Sequence, residues 1–226
     1  MGRPSLKENP MKLFVFEHCP YCVRAMMIVG YKGIALEKVI LQNDDVDSRI
    51  RMVGANMVPI LQKDDGSYMA ESLDIVAFLD ALCGEALLEP AKHEQHIAAW
   101  LDKAGYYSSR LLHPRNVRMG LPEYGSEAAI RWYTEKKTAV IGMSFEEAFA
   151  ASGEYIAALE PLFTELDLIP LPSERNNQLG YDDVLLFPVL RNLTAVKGLN
   201  VGKRVRSYID EVAALTKVAL FDTTAI

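Results

Sequence analysis

Cys19 and Cys22 stand two residues apart, separated by Pro20 and Tyr21, directly after the short apolar run Lys12 to Phe16. A Cys-x-x-Cys pair can hold a metal, exchange electrons or lie buried in a core. Structural zinc normally draws on a second ligand pair at similar spacing. His93-x-x-His96 is the sole candidate, far away in the chain. A plain core pair fits an apolar face better than a strand-to-helix corner. The redox reading has a mechanism. A cysteine at a helix N-terminus faces unpaired backbone N–H groups and the positive end of the helix dipole. Such cysteines fall from a pKa of ~8.5 into the range ~3.5–7.5. Cys19 is therefore read as the nucleophile. Cys22, one turn on and less exposed, is read as the resolving thiol. Pro20 suits the first helical turn, where a missing N–H costs little. Arg24 either adds positive charge there or is a solvated surface residue.

The elements that must hold this pair follow from pattern. Lys12 to Phe16 is rich in strand formers, and Val23 to Val29 reads as a helix ending near Gly30 and Gly33. Leu36 to Leu41 is a second strand. Asn43 to Asp47 is an acidic loop, and Arg49 to Val53 a short helix ended by Gly54. Val58 to Gln62 is a third strand. Asp65-Gly66 predicts a hairpin with a primed turn, leading to a strand at Tyr68 to Ala70. Ser72 to Leu82 is a helix with Ile75, Val76, Leu79 and Leu82 on one face. Residues 11–82 thus form a compact α/β domain, and 83–90 a linker. Residues 91–226 show only helical periodicity. Helices are expected over His96 to Leu112, Ser126 to Ile141, Ser144 to about Leu166, Asp182 to Val196 and Val201 to Ala219. Ser144 with Glu147 forms a capping box, and Pro188 should kink its helix.

The chain has 226 residues, 50% hydrophobic and 24% charged, which is a globular balance with room for two cores. Its net charge of −6 argues against a general nucleic-acid binder. No segment reaches the ~20 apolar residues of a membrane span. Residues 1–10 are polar and read as an extension or tag remnant. Three cysteines, an odd and low number, argue against a secreted disulfide framework and for a reducing, cytoplasmic compartment. Cys83 is read as a structural or incidental thiol. Tyr106, Tyr107, Arg110, Arg115 and Arg118 are assigned no role.

The run Cys19-Pro20-Tyr21-Cys22 after a first strand resembles the dithiol motif of glutaredoxins. Val58-Pro59 resembles the cis-proline element of thioredoxin-fold proteins, and Glu71-Ser72 the γ-glutamyl-binding corner of glutathione transferases. With Met52-Val53-Gly54, Val58 to Asp65 and Leu186 to Leu193, the chain is similar to the larger two-domain bacterial glutaredoxins, the glutaredoxin 2 family. The resemblance runs from Met11 to the C-terminus. It implies a thioredoxin-like N-terminal domain and an all-helical, glutathione-transferase-like C-terminal domain. It also implies glutathione as cosubstrate, with no tightly bound cofactor and no metal. Disulfide-containing or glutathionylated proteins would be partners of a monomer.

Under that resemblance Cys19 attacks a mixed or protein disulfide, and Tyr21, Val58, Pro59, Glu71 and Ser72 hold glutathione. Val58 would pair its backbone with the cysteinyl part, exposed by a cis Pro59. Ser72 would hold the α-carboxylate and Glu71 the α-amino group. Without the resemblance, Val58-Pro59 is a plain strand start and Glu71-Ser72 a helix cap. The family pattern places Ser or Thr where this chain has Gly180, three residues before Asp183, so the side-chain half of that capping box is missing. Two other functions compete with disulfide reduction. One is a glutathione transferase conjugating electrophiles, which needs a hydroxyl near the glutathione thiol. The other is a non-enzymatic scaffold, which the intact dithiol disfavours.

Overall fold

The structure, a computed structural model, describes residues 10–82 and 84–226. Residues 1–9 of the expected extension, and the expected role of Cys83, lie outside the described residues. Strands β1 (Lys12–Val15), β2 (Glu37–Ile40), β3 (Ile60–Gln62) and β4 (Tyr68–Met69) form one sheet in the order β2-β1-β3-β4. β1 pairs parallel with β2 and antiparallel with β3, and β4 closes the edge as the hairpin partner of β3. The hairpin forms as the Asp-Gly signal requires, but its turn is not a primed one. Gly66 N–H donates to the Lys63 carbonyl and Lys63 N–H to Ser67. Gly66 alone has positive φ there, at 84°. This is a type I turn with a glycine bulge, the form suited to the longer loop.

Helices α1 (Pro20–Lys32), α2 (Val46–Val53) and α3 (Ser72–Leu82) complete this half. α1 carries two buried faces with different destinations. Cys22, Ala25 and Ile28 pack with Leu13, Val15, Leu61, Ile75, Val76 and Leu79 in the sandwich core. Val23 and Met27 instead join Ile97, Trp100, Leu186, Leu190 and Ile209 in the core of the helical half. α1 therefore lies at the seam, with apolar burial worth ~1.5–3 kcal/mol per large side chain on either side. Contact is close enough at Gly30 that a Cβ would sit 1.7 Å from the Thr216 carbonyl oxygen, so only glycine fits.

The second half comprises α4 (Glu94–Asn116), α5 (Glu127–Ile141), α6 (Phe145–Ala150), α7 (Ser152–Leu159), α8 (Tyr181–Leu193) and α9 (Lys203–Thr216), with 3-10 turns at Pro122–Tyr124, Glu160–Leu166 and Pro172–Arg175. The Ser144–Glu147 capping box is present in both directions. The single long helix expected from Ser144 to Leu166 is instead three pieces. Ser152-Gly153 is a weak helix-forming pair, and Pro161 lacks the N–H that would continue the ladder. α8 runs from Tyr181 through Pro188 to Leu193.

Gly180 has a structural cause. Glu89 and Gly180 form an isolated β-bridge, and a Cβ at Gly180 would meet the Glu89 carbonyl oxygen at 2.9 Å. The N-cap side-chain half of the box is absent, and the other half is present: Asp183 accepts the Gly180 N–H at 2.8 Å. The same buried carboxylate takes both Arg175 terminal nitrogens at 2.8 and 2.6 Å and the Tyr208 hydroxyl at 2.8 Å. His93 and His96 do not approach the cysteines. Their rings bond to Asp182 and to the Glu165 carbonyl.

Candidate active site

The site is built on the first turn of α1. Cys19 is its N-cap, in extended backbone geometry with no side-chain cap, and Pro20 follows at the first helical position. The unoccupied N–H groups of Tyr21 and Cys22 therefore face the Cys19 sulfur. Its pKa falls to about 6. The Cys22 thiol is the largest cause, donating to the Cys19 sulfur. Burial opposes the shift, while His18 and the backbone donors add to it. Cys22 moves the other way, well above its ordinary value, because it is fully buried and faces the Cys19 charge. Its sulfur accepts the Phe16 N–H at 3.4 Å. Both thiols are free. The pair thus consists of an accessible thiolate and an inaccessible thiol, which nucleophilic attack followed by internal resolution requires.

Cys19 and Tyr21 line a cleft of about 1250 Å³ between the two halves. Val58 lines it as well, and the Val58–Pro59 peptide is cis. Opposite stand Ser108, Leu112, Asn116 and Tyr133. Tyr106, Arg115 and Arg118 are not part of this wall. Arg115 is instead buried against the Leu111 carbonyl, Ser152 and the Ile226 carbonyl.

Glu71 and Ser72 lie beyond the cleft lining, and Ser72 is linked to it through Arg24. Arg24 lines the cleft, stacks over the Tyr21 ring at 4.8 Å and donates to the Ser72 hydroxyl at 3.3 Å. It is not a solvated surface residue: burial lowers its pKa, and its Nε is buried with no partner among the described residues. Glu71 is exposed, with φ at 67°, and its carbonyl accepts the Ile75 N–H. A non-glycine residue in that region is uncommon outside turns and functional sites. Ser72 is 8% exposed at the start of α3. Helix capping and ligand holding are both open to this corner.

Sequence reasoning missed the residues that reach the dithiol from the helical half. Glu123 Oε1 accepts the His18 N–H at 3.0 Å and lies 2.6 Å from His18 Nδ1. Asn192 Nδ2 donates to the His18 carbonyl at 2.6 Å, and Arg191 Nη1 to the Glu17 carbonyl at 2.7 Å. The only local signal was His18 itself, adjacent to a cysteine. Its partners are more than a hundred residues away: Glu123 lies in no motif, and Asn192 lies in the Leu186 to Leu193 stretch that carried the family resemblance but suggested no role for it.

Fold and dithiol together define a thiol–disulfide oxidoreductase on a glutathione-transferase-like frame. Residues 96–225 match the family model described as glutaredoxin 2, C-terminal domain. Residues 13–86 match the glutathione S-transferase N-terminal domain. The chain is 43% identical over 217 residues to glutaredoxin 2 of Escherichia coli (strain K12), covering 96% of this chain and 100% of that protein. The crystal structure of glutaredoxin 2 from Salmonella typhimurium in complex with glutathione matches with a TM-score of 0.90 at 42% identity, covering 96% and 100% of the two chains. Glutathione transferase GSTFuA3 from Phanerochaete chrysosporium shares the fold at a TM-score of 0.68 and 14% identity, covering 92% of this chain and 98% of that one. This chain belongs to the glutaredoxin 2 family, and its activity is that of a glutathione-dependent glutaredoxin.

Proposed function

We propose that Cys19 is the attacking thiolate and Cys22 the resolving thiol. The observation that carries this is the uncapped start of α1: Cys19 opens into the cleft with a lowered pKa while Cys22 is sealed beneath it. On a glutathione mixed disulfide, the Cys19 thiolate attacks the glutathionyl sulfur and the other thiolate leaves. A second glutathione thiolate then attacks that sulfur, freeing Cys19 and releasing glutathione disulfide. On a protein disulfide, Cys19 attacks one sulfur, forming a mixed disulfide and releasing the other sulfur as a thiolate. The Cys22 thiol loses its proton and attacks the Cys19 sulfur, expelling the second substrate thiolate and leaving a Cys19–Cys22 disulfide that two glutathiones reduce, themselves becoming glutathione disulfide.

Glutathione occupies the cleft, as the bound ligand named for the Salmonella relative supports. Its sulfur lies at Cys19 beside Tyr21, its middle along the main chain of Val58 before Pro59, and its γ-glutamyl end at Glu71 and Ser72. Arg24 bridges the two ends. Charge-assisted hydrogen bonds at the helix start and at Glu71 would hold that zwitterion. The chain divides at 11–82, 83–90 and 91–226. It works as a monomer on glutathionylated and disulfide-bonded proteins, without a tightly bound cofactor, in the reducing cytoplasm. Among the described residues no helix is long and apolar enough to cross a membrane.

The test is an NADPH-coupled assay with glutathione reductase, glutathione and a small mixed disulfide. Turnover that requires Cys19 supports the assignment. Turnover that persists in Cys19→Ser overturns it.

A further inference from the structure

Glu123 is a costly residue to bury. It is fully buried, and its Oε2 has no hydrogen-bond partner among the described residues. A buried carboxylate oxygen left unpaired loses its hydration without compensation, so a purely structural role leaves that cost unexplained. The other oxygen holds both the His18 N–H and His18 Nδ1. His18 is the residue directly before Cys19.

The backbone of the Glu123 turn is fixed independently of this side chain. Gln42 donates to the Pro122 carbonyl at 2.8 Å and accepts the Gly125 N–H at 3.0 Å, and Asn43 N–H donates to the Glu123 carbonyl at 2.9 Å. Thus the carboxylate is delivered to His18 by main-chain anchors that remain when its charge is removed. The ring it holds is packed by three aromatic residues: stacked on Phe16 at 5.7 Å, edge-on to Tyr133 at 5.2 Å, and reached by the Tyr124 hydroxyl at 3.2 Å.

We propose that Glu123 is a positioning residue for the dithiol reaction, acting through the His18 imidazole to favour the Cys19 thiolate from the opposite half of the molecule. The proposal rests on Cys19 being the nucleophile. Its physical basis is a difference in sign. A carboxylate acting directly on a thiolate disfavours it. A carboxylate paired with the imidazole of the residue before the cysteine favours it, by favouring positive charge on that ring. Burial is the largest single influence on the Glu123 carboxyl and pushes it up, but the hydrogen bonds and electrostatic attraction of His18 together keep it below its ordinary range, and His18 contributes to the lowering at Cys19.

Other charges face this cluster from each neighbouring element. α1 supplies Cys22 and Arg24, both of which interact electrostatically with Cys19. The Pro122–Tyr124 turn supplies Tyr124, and α5 supplies Tyr133, whose hydroxyls burial keeps neutral. α4 supplies His113, which burial, Lys137 and His18 hold down to about 3 and so uncharged. α8 supplies Arg191, which feels both Glu17 and Glu123. None of these both bonds to the Glu123 carboxylate and directly precedes Cys19 in the chain, as His18 does.

The experiment measures iodoacetamide alkylation of the reduced full-length protein from pH 4 to 10, with the labelled cysteine identified by peptide mapping. Labelling of another cysteine first would undo the nucleophile assignment itself, separately from this inference. Glu123→Gln keeps the shape and an acceptor oxygen. It should raise the Cys19 midpoint by about half a pH unit to one unit, and Glu123→Asp should restore part of the shift. In a His18→Gln background, Glu123→Gln should no longer raise the midpoint. A midpoint that stays put in Glu123→Gln, or moves down, overturns the proposal, as does an equal rise in the His18→Gln background. Should Glu123→Gln not fold, His18→Gln alone decides. An unchanged Cys19 midpoint there removes the relay, and a raised one retains it.

Discussion

Among the helix starts of this molecule that lack a side-chain cap, those of α1 and α8 use that lack in opposite ways. At the start of α1, Cys19 leaves the first N–H groups open and the cleft gives access to them. At the start of α8, Gly180 offers no side chain, but Asp183 reaches back to its N–H and is itself saturated by Arg175 and Tyr208. The first arrangement leaves electrostatic potential for a thiolate. The second consumes it in stability. Free backbone donors at a helix start are the same resource in both places, and the surrounding tertiary contacts decide its use.

The sharpest break of this comparison is a double dissociation. Cys19→Ser should abolish turnover of the small mixed disulfide while moving the unfolding free energy by less than about 0.5 kcal/mol. In contrast, Cys22→Ser should keep most of that turnover, because a second glutathione can resolve the intermediate, and should lose protein-disulfide reduction. Equal loss in both variants toward the small substrate would remove the monothiol route. At the other helix start, Asp183→Ala should cost about 3 kcal/mol in urea unfolding, since it strips a buried partner from Arg175. Its Cys19 alkylation midpoint should stay near 6, the value that the Cys22 thiol sets first, with His18 and the α1 backbone donors adding to it. A midpoint displaced along with stability would mean the two helix starts are not independent.

A smaller effect is expected at the start of α3. Glu71→Ala and Ser72→Ala should each raise the apparent KM for glutathione or its mixed disulfide about tenfold, equivalent to ~1.4 kcal/mol of a charge-assisted contact. Unfolding midpoints should change little. Kinetics unchanged in both variants would return this corner to plain capping, like α8.

The pH dependence sharpens the α1 side alone. Thiolate accumulates above the folded pKa, so alkylation of Cys19 should rise through about pH 6 and level off well below the ~8.5 of a free cysteine. Cys22→Ala removes the donor that contributes most to that lowering, so its midpoint should move up. No movement would assign the lowering to the backbone and His18. The least effect belongs to the start of α6, conventionally capped at the surface. Ser144→Ala should lower Tm by about 2–4 °C, with no change in any kinetic constant.

The sequence alone determined which chemistry this chain carries. Cys19 and Cys22 at a strand-to-helix corner, Pro20 between them, Val58-Pro59 at a strand start and the change from strand to helix periodicity all depend on local spacing. Local spacing is what a linear reading captures. The same reading located the sheet and most helices, failing where Ser152-Gly153 and Pro161 divided one periodic run into three. Only the tertiary structure decided how the pair is held. Glu123, Asn192 and Arg191 meet His18 and Glu17 across more than a hundred residues of chain. Arg24 turns inward because Ser72 and Tyr21 are there to receive it. Gly180 looked like a defective cap until the Glu89 carbonyl was found where its side chain would be. Each of these depends on what another element places in the way, and no period or motif records that, because the contact exists only once both halves have packed on α1.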